Sequence, residues 1–473
     1  MTKSMTTGSP AKLILLFSLP LIVGNIFQQF YSMADTIIVG RTIGVNALAA
    51  VGCTGSISFF ILGFVMGFTS GLSIITAQRF GAQDEEGIKR SFASSILLSI
   101  FLTVIMTALS LVLVRPIMTV LQTPPEIMED AISYIRIIFL GIGASVLFNL
   151  ASNTMRALGD SKTPLYFLIF ACCINIVLDL VFILIFDMGV AGAGVATILS
   201  QLLSGICCFL FIKKKMPLLW IEKRHFKAGW AEIKRHLFTA LPMAFQMSII
   251  AIGSLILQFA LNSLGATSVA AYTASQKIDS MATMPLNSFG AAMATYAAQN
   301  HGAGKPERIR KGVFQCILIS VSFSVLMSLM NIFAGSNLTS IFVGKGETQV
   351  LALSETYLRI NGAFYSVLAL LFIYRFTLQG LGNGIIPTVA GIMELIMRAF
   401  GALILADSFG FAGACCANPL AWIGACIPLA IAYYVTIRKL APGTADNSQK
   451  SKETSSYFVG KNEAYEKPSE SRK

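Results

Sequence analysis

The sequence predicts an all-α membrane protein, with twelve transmembrane helices in two pseudo-symmetric six-helix bundles that form parallel repeats around a central cavity. Three observations carry this reading. Of 473 residues, 55% are hydrophobic and 12% charged, and the mean hydropathy is +0.73; a soluble chain is roughly a quarter charged, so lipid is the main solvent. Apolar runs of bilayer length, about 20 residues, recur along nearly the whole chain. The second half also repeats motifs of the first at a near-constant offset.

The apolar runs fall at roughly 13–39, 46–76, 92–114, 131–155, 164–186, 190–212, 237–262, 267–297, 313–334, 352–380, 386–406 and 411–437. They are rich in Leu, Ile, Ala, Gly and Phe and lack the alternation of barrel strands. Each therefore reads as a helix, which satisfies its own backbone groups in lipid. Lys12 leads straight into the first run, with no separate signal peptide expected. The chain divides into an N-terminal segment (1–12), an N-lobe with helices 1–6 (13–212), a basic connector (213–236), a C-lobe with helices 7–12 (237–437) and a tail (438–473). The tail is rich in Ser, Lys and Glu and is expected to be disordered.

With both ends in the cytoplasm, the inner segments hold 27 of the 35 Lys and Arg residues. The outer segments hold five, Arg41, Arg115, Arg136, Lys345 and Arg359. The positive-inside bias thus orients the chain in the cell (inner or plasma) membrane with cytoplasmic termini. It also accounts for the net charge of +12 without a nucleic-acid partner. The nine cysteines lie inside apolar segments without metal-ligand spacing and read as small buried hydrophobes.

The repeat is visible in ordered motifs. Pro20 in FSLPLI is answered by Pro242 in TALPMA, and AQRFGAQDEEGIKR (77–90) by AQNHGAGKPERIRK (298–311). SYIRI (133–137) matches TYLRI (356–360), and MRALGDSKTP (155–164) matches LQGLGNGIIP (378–387). Each half holds six crossings, so both enter the membrane from the same side, related by an axis along its normal.

Ionisable residues inside membrane helices are costly and mark functional sites by default. In the C-lobe these are Lys277, Asp279, Arg375, Glu394 and Arg398. Glu394 and Arg398 are i,i+4 neighbours able to pair, Arg375 can join them, and the group is either structural or substrate-contacting. Lys277 and Asp279, two residues apart, point in different directions. In the N-lobe, Asp35 and Asp179 share a depth toward the outer ends of helices one and five, with no base at that level. An unpaired carboxylate in a low-dielectric site takes up a proton or recruits a cation. Asn175 shares a face with Asp179, and Tyr134 and Thr197 add hydroxyls near the same depth. Pro20 cannot donate to the helix ladder, so helix one can bend there. Gly24, Asn25, Gln28, Gln29, Tyr31 and Ser32 suit a helix wall facing water or solute.

These residues resemble the multidrug and toxic compound extrusion (MATE) family, bacterial type. The resemblance spans about 12–440 and rests on FSLPLIVGNIFQQFYSMADTIIVG, AQRFGAQ with its partner AQNHGAG, NIVLD (175–179), and LQGLGNGIIP followed by ELIMR (394–398). It implies a V-shaped, monomeric exporter of cationic or amphipathic organic compounds, exchanged for H⁺ or Na⁺ by rocking-type alternating access. No cofactor is implied beyond the coupling ion. By the same resemblance, Asp35, Asn175 and Asp179 match a coupling-cation site that could hold Na⁺, with Tyr134 and Thr197 beside it. Pro20 matches a helix-bending proline, and Asn153 lies near the cytoplasmic end, far from the others. Some members carry acids in helices seven and ten, where this chain has Gln246, Gln258 and Arg375, which places the coupling site in the N-lobe. The alternatives are a lipid-linked oligosaccharide or lipid flippase of the same superfamily and a passive channel. An enzyme is not expected, since the three histidines, His225, His236 and His301, all sit in cytoplasmic segments and no nucleophile–base spacing stands out.

Overall fold

The computed structural model describes residues 3–121, 123–227, 229–343 and 347–440. Lys345 and the polar tail from Ala441 lie outside the described residues. The N-terminal half holds α1 (Pro10–Thr42), α2 (Val45–Gly81), α3 (Glu85–Val120), α4 (Pro125–Leu140), α5 (Ile142–Ala157), α6 (Lys162–Leu180) and α7 (Gly189–Lys215). The C-terminal half holds α8 (Trp230–Ser263), α9 (Ala266–Gly302), α10 (Pro306–Val343), α11 (Thr348–Ala363), α12 (Tyr365–Gly380), α13 (Ile385–Ala399), α14 (Ala406–Cys415) and α15 (Ala417–Lys439). Single π-helical turns extend α6 (Val181–Ile185) and α13 (Phe400–Leu405).

Among the described residues, nine helices are long and apolar enough to cross a membrane, and two bent pairs make eleven. The twelfth is α9, whose 37 residues suffice by length. Lys277, Asp279 and many small polar residues lower its hydropathy, and its second half is almost wholly buried among its neighbours. The protein is thus an all-α membrane protein with two six-span halves.

The repeat extends to the bends, the π turns and four left-handed positions, while Asp187 (φ 51°) has no left-handed counterpart among the described residues. The bent pairs are α4/α5, broken at 45°, and α11/α12, broken at 49°. The left-handed residues Gly44, Gln83, Gly159 and Gly189 are answered by Gly265, Gly304, Gly382 and Gly410. Gly410 (φ 58°) interrupts α14, where the chain passes from its eleventh span to its twelfth.

Local capping fixes the turns. Asp84 starts α3 by accepting the Gly87 N–H at 2.8 Å. Asp160 starts α6 by accepting the amides of Lys162 and Thr163 at 3.1 and 3.0 Å and the Thr163 hydroxyl at 2.6 Å. Both acids also favour the positive end of the helix dipole.

The halves exchange their leading helices. Leu13, Ile14, Phe17 and Leu21 of α1, with Met5 before them, pack in a core made otherwise by C-terminal-half residues such as Leu286, Phe289 and Tyr296. Ala240 and Ala244 of α8 pack in the core of the N-terminal half with Val65, Phe68 and Leu72. At the end of the bundle that carries the N-terminal segment and the connector, here the basic end, the repeated motifs close on each other. A Cβ on Gly81 would lie 1.9 Å from the Gln299 carbonyl oxygen, and one on Gly302 would lie 1.7 Å from that of Gln78. The glutamine amides bond reciprocally: Gln78 donates to the Gly380 carbonyl at 2.9 Å and Gln299 to that of Ala157 at 2.8 Å. Residues 3–8 strap the seam, with Met5 buried, its amide donating to Gln299 at 2.8 Å, and Arg308 donating to the Gly8 carbonyl at 3.1 Å. Arg235 of α8 occupies the corresponding place on Gln78, at 3.0 Å.

Toward the opposite end this bonding stops. Among the described residues, hydrogen bonds between them reach no further than Asn25–Ser288 (3.0 Å) and Ser248–Phe60 (3.3 Å), near the middles of α1 and α8. Because the seam is backbone against backbone, Gly302→Ala is expected to pry it open. In a variant free of native cysteines, the buried Ala298→Cys should then react several-fold faster with a water-soluble maleimide.

Candidate functional site: an acidic pair in the first half

Asp35 lies on α1, a turn after Tyr31, and Asp179 lies on α6, two residues before its π turn. Asn175 shares the Asp179 face, Thr197 comes from α7 and Tyr134 from α4. The structure brings these side chains together. The carboxyl groups of Asp35 and Asp179 lie within hydrogen-bonding reach of each other, and one oxygen of each is buried with no donor facing it. The Asn175 amide is satisfied when its nitrogen donates to Asp179 Oδ2 at 2.9 Å and its oxygen accepts the Thr197 N–H at 3.2 Å. Tyr31 Oη lies 3.3 Å from Thr197 Oγ1, and Tyr134 lies within electrostatic range of both aspartates. Asn175 and Asp179 are fully buried.

Two adjacent carboxylates cannot both stay anionic in such a place without a proton or a cation between them. The donor set of carboxylate, amide and hydroxyl oxygens suits a hard monovalent cation equally well. Among the described residues, no group of three or more His, Cys, Asp or Glu side chains is arranged to hold a metal.

Tyr31 is a member of this site that sequence reading assigned only to a polar helix wall. Its i,i+4 spacing to Asp35 was the available signal; the contact to Thr197 crosses from α1 to α7. Pro20 is buried inside a single continuous α1, nearer the basic end than the aspartates. Asn153 lies away from the acidic pair, donating to Thr69 at 3.4 Å and accepting from Arg156 at 3.3 Å.

The second half holds its charge differently. Glu394 accepts from Arg375 at 2.5 Å and from Arg398 at 2.9 Å, all three buried. Arg398 leans against α8, 2.7 Å from where a Cβ on Gly253 would sit. Beside the cluster, Gln379 donates to Gln246 at 2.7 Å. Lys277 is exposed and Asp279 buried on another face of α9.

With this geometry in place, comparison with known proteins gives the class. The MatE family matches residues 20–181 and again 242–404, once in each half, and the chain belongs to that family of multi-pass membrane transporters. The probable multidrug resistance protein YpnP of Bacillus subtilis is 30% identical over 83% of this chain and 85% of its own. An FAD transporter of Shewanella oneidensis is 24% identical, covering 82% of this chain and 86% of its own. An outward-facing multidrug resistance MATE transporter has the same fold, with a TM-score of 0.85 and 24% identity over 92% of this chain and 98% of that one.

Breaking a buried ion pair from one side costs about 3–5 kcal/mol, because a charge is left uncompensated. Glu394→Gln leaves two such guanidinium groups, so a loss of that order is expected, read as a lower thermal-unfolding midpoint of the purified protein in detergent.

Proposed function

We propose that the chain is a secondary active exporter of cationic or amphipathic organic compounds, coupled to inward movement of H⁺ or Na⁺. The observation that carries this is the Asp35–Asp179 pair: two carboxyl groups in mutual reach, on different helices, with no base facing them among the described residues. Such a pair binds one cation at a time and relaxes when it leaves, which is what an exchanger requires of a coupling site. The positive-inside bias puts the basic end in the cytoplasm of the cell membrane, so the closed seam faces inward and the ends without such bonds between the halves face out. Coupling-ion binding from outside would then bias α1, which carries Asp35, Tyr31 and the ladder gap at Pro20. The two halves would rock about the seam to reopen inward. The multidrug name of YpnP supports the substrate class.

A phosphate-bearing substrate, as a flippase would carry, needs a free base within the membrane. The buried arginines Arg375 and Arg398 are engaged by Glu394 and do not offer one, and Lys277 is exposed on another helix outside that cluster, so the acidic pair favours the export reading.

In proteoliposomes or everted vesicles, a proton gradient should drive accumulation of a fluorescent organic cation, and Asp179→Asn should abolish it while leaving the protein folded. A sodium gradient in place of the proton gradient identifies the ion. Full gradient-driven transport by Asp179→Asn would overturn the reading. Tyr31→Phe removes one hydroxyl contact and not the charge, so a several-fold loss with the same ion dependence is expected in the same assay.

A further inference from the structure

Inside the second half lies a carboxylate that neither the acidic pair nor the Glu394 cluster uses. Asp279 of α9 is 9% exposed. Its Oδ1 accepts from Tyr365 Oη of α12 at 2.7 Å, and Tyr365 Oη in turn accepts from Asn331 Nδ2 of α10 at 2.8 Å. Tyr365 and Asn331 are fully buried, and Asn331 Oδ1 has no hydrogen-bond partner. The Trp422 ring of α15 lies 6.3 Å from that of Tyr365 and covers the chain.

Among the described residues, the groups around Asp279 leave it without a counter-charge. Tyr357 of α11 and Tyr272 of its own helix lie within electrostatic range of it, and the Cys415 thiol of α14 lies near those two tyrosines. All three are neutral near pH 7. Arg398 of α13 lies beyond Tyr272 and is held by Glu394. Lys277 is exposed, and no ion pair joins it to Asp279 among the described residues. A lone carboxylate of this kind is costly in a membrane helix.

We propose that Asp279 is a second proton-binding site, in the C-lobe, with Tyr365 and Asn331 forming a hydrogen-bond relay of reversible polarity. As a carboxylate, Asp279 accepts from Tyr365, whose oxygen accepts from Asn331. When Asp279 takes one proton from water at its exposed edge, the new acid donates to Tyr365 Oη. The Tyr365 hydroxyl then swings to Asn331, whose amide turns to present Oδ1, the atom left without a partner in the first state. One proton is bound, one hydroxyl and one amide reorient, and the reverse sequence returns the proton to water. Because the relay spans α9, α10 and α12, its polarity ties the protonation state to the packing of three helices. Its coupling to export rests on the exchange reading above; the protonation itself does not.

Infrared difference spectra of the full chain in lipid, recorded across a pH titration, test this directly. The Asp35→Asn/Asp179→Asn double variant silences the N-lobe pair. It should keep a protonated-carboxyl C=O band that rises on acidification, disappears when Asp279→Asn is added, and changes frequency with Tyr365→Phe. If Asp279→Asn removes no titrating band, Asp279 is a fixed hydrogen-bond partner and the proposal falls. Should the triple variant not fold, Tyr365→Phe in the double variant decides alone, since an unchanged spectrum excludes the relay. Failure of the exchange reading would appear instead as undiminished transport by Asp179→Asn, with this band unaffected.

Discussion

Where the two halves meet, backbone lies on backbone, and the rest of the molecule is arranged around that closeness. Gly81 faces the Gln299 carbonyl and Gly302 faces that of Gln78 at distances that leave no room for a Cβ. With no hydrophobic drive between helices in lipid, close van der Waals packing and buried amide bonds are what hold bundles together. The exchange of α1 and α8 between halves extends the seam into both cores. Each half therefore contributes a leading helix to the other's interior.

The same arrangement places the acidic pair. Asp35 sits on the far part of the exchanged helix α1, past Pro20, whose missing amide removes one ladder bond. Its partner Asp179 precedes a π turn, a feature that often marks functional positions in helices. In the second half the equivalent π turn follows Arg398, which is already neutralised by Glu394. One scaffold thus carries an acidic pair that needs a cation in one half and a charge-compensated cluster in the other. The duplicated backbone supplies symmetry, and the side chains remove it.

The interior of the second half is nevertheless not electrically silent. Asp279, Tyr365 and Asn331 connect three helices through hydrogen bonds whose direction depends on where the protons are. Polar networks in a low-dielectric interior are costly unless fully satisfied, and the free oxygen of Asn331 is the point at which this one is not.

Much of this was legible in the sequence, for definable reasons. Span number and class follow from the hydropathy of runs that must satisfy their own backbone in lipid. The repeat follows from proline, glycine and glutamine motifs at a constant offset, and it carries through to bends, turns and π segments. α9 was recovered in spite of its charges because its length and its place in the repeat outweigh its polarity. Contacts along one helix were also readable: Asn175 with Asp179, and Glu394 with Arg398, lie four residues apart and share a face by periodicity alone. Contacts between helices were not. That Tyr31 meets Thr197, that Arg375 reaches Glu394, that Gln78 caps Gly380 and that Tyr365 bridges Asn331 to Asp279 depend on the rotation and tilt of one helix against another. Those are set by how side chains pack across an interface. The sequence by itself determined which helices form and where they repeat, because hydropathy and hydrogen bonding act locally along the chain; only the tertiary structure decided which charges are left without partners.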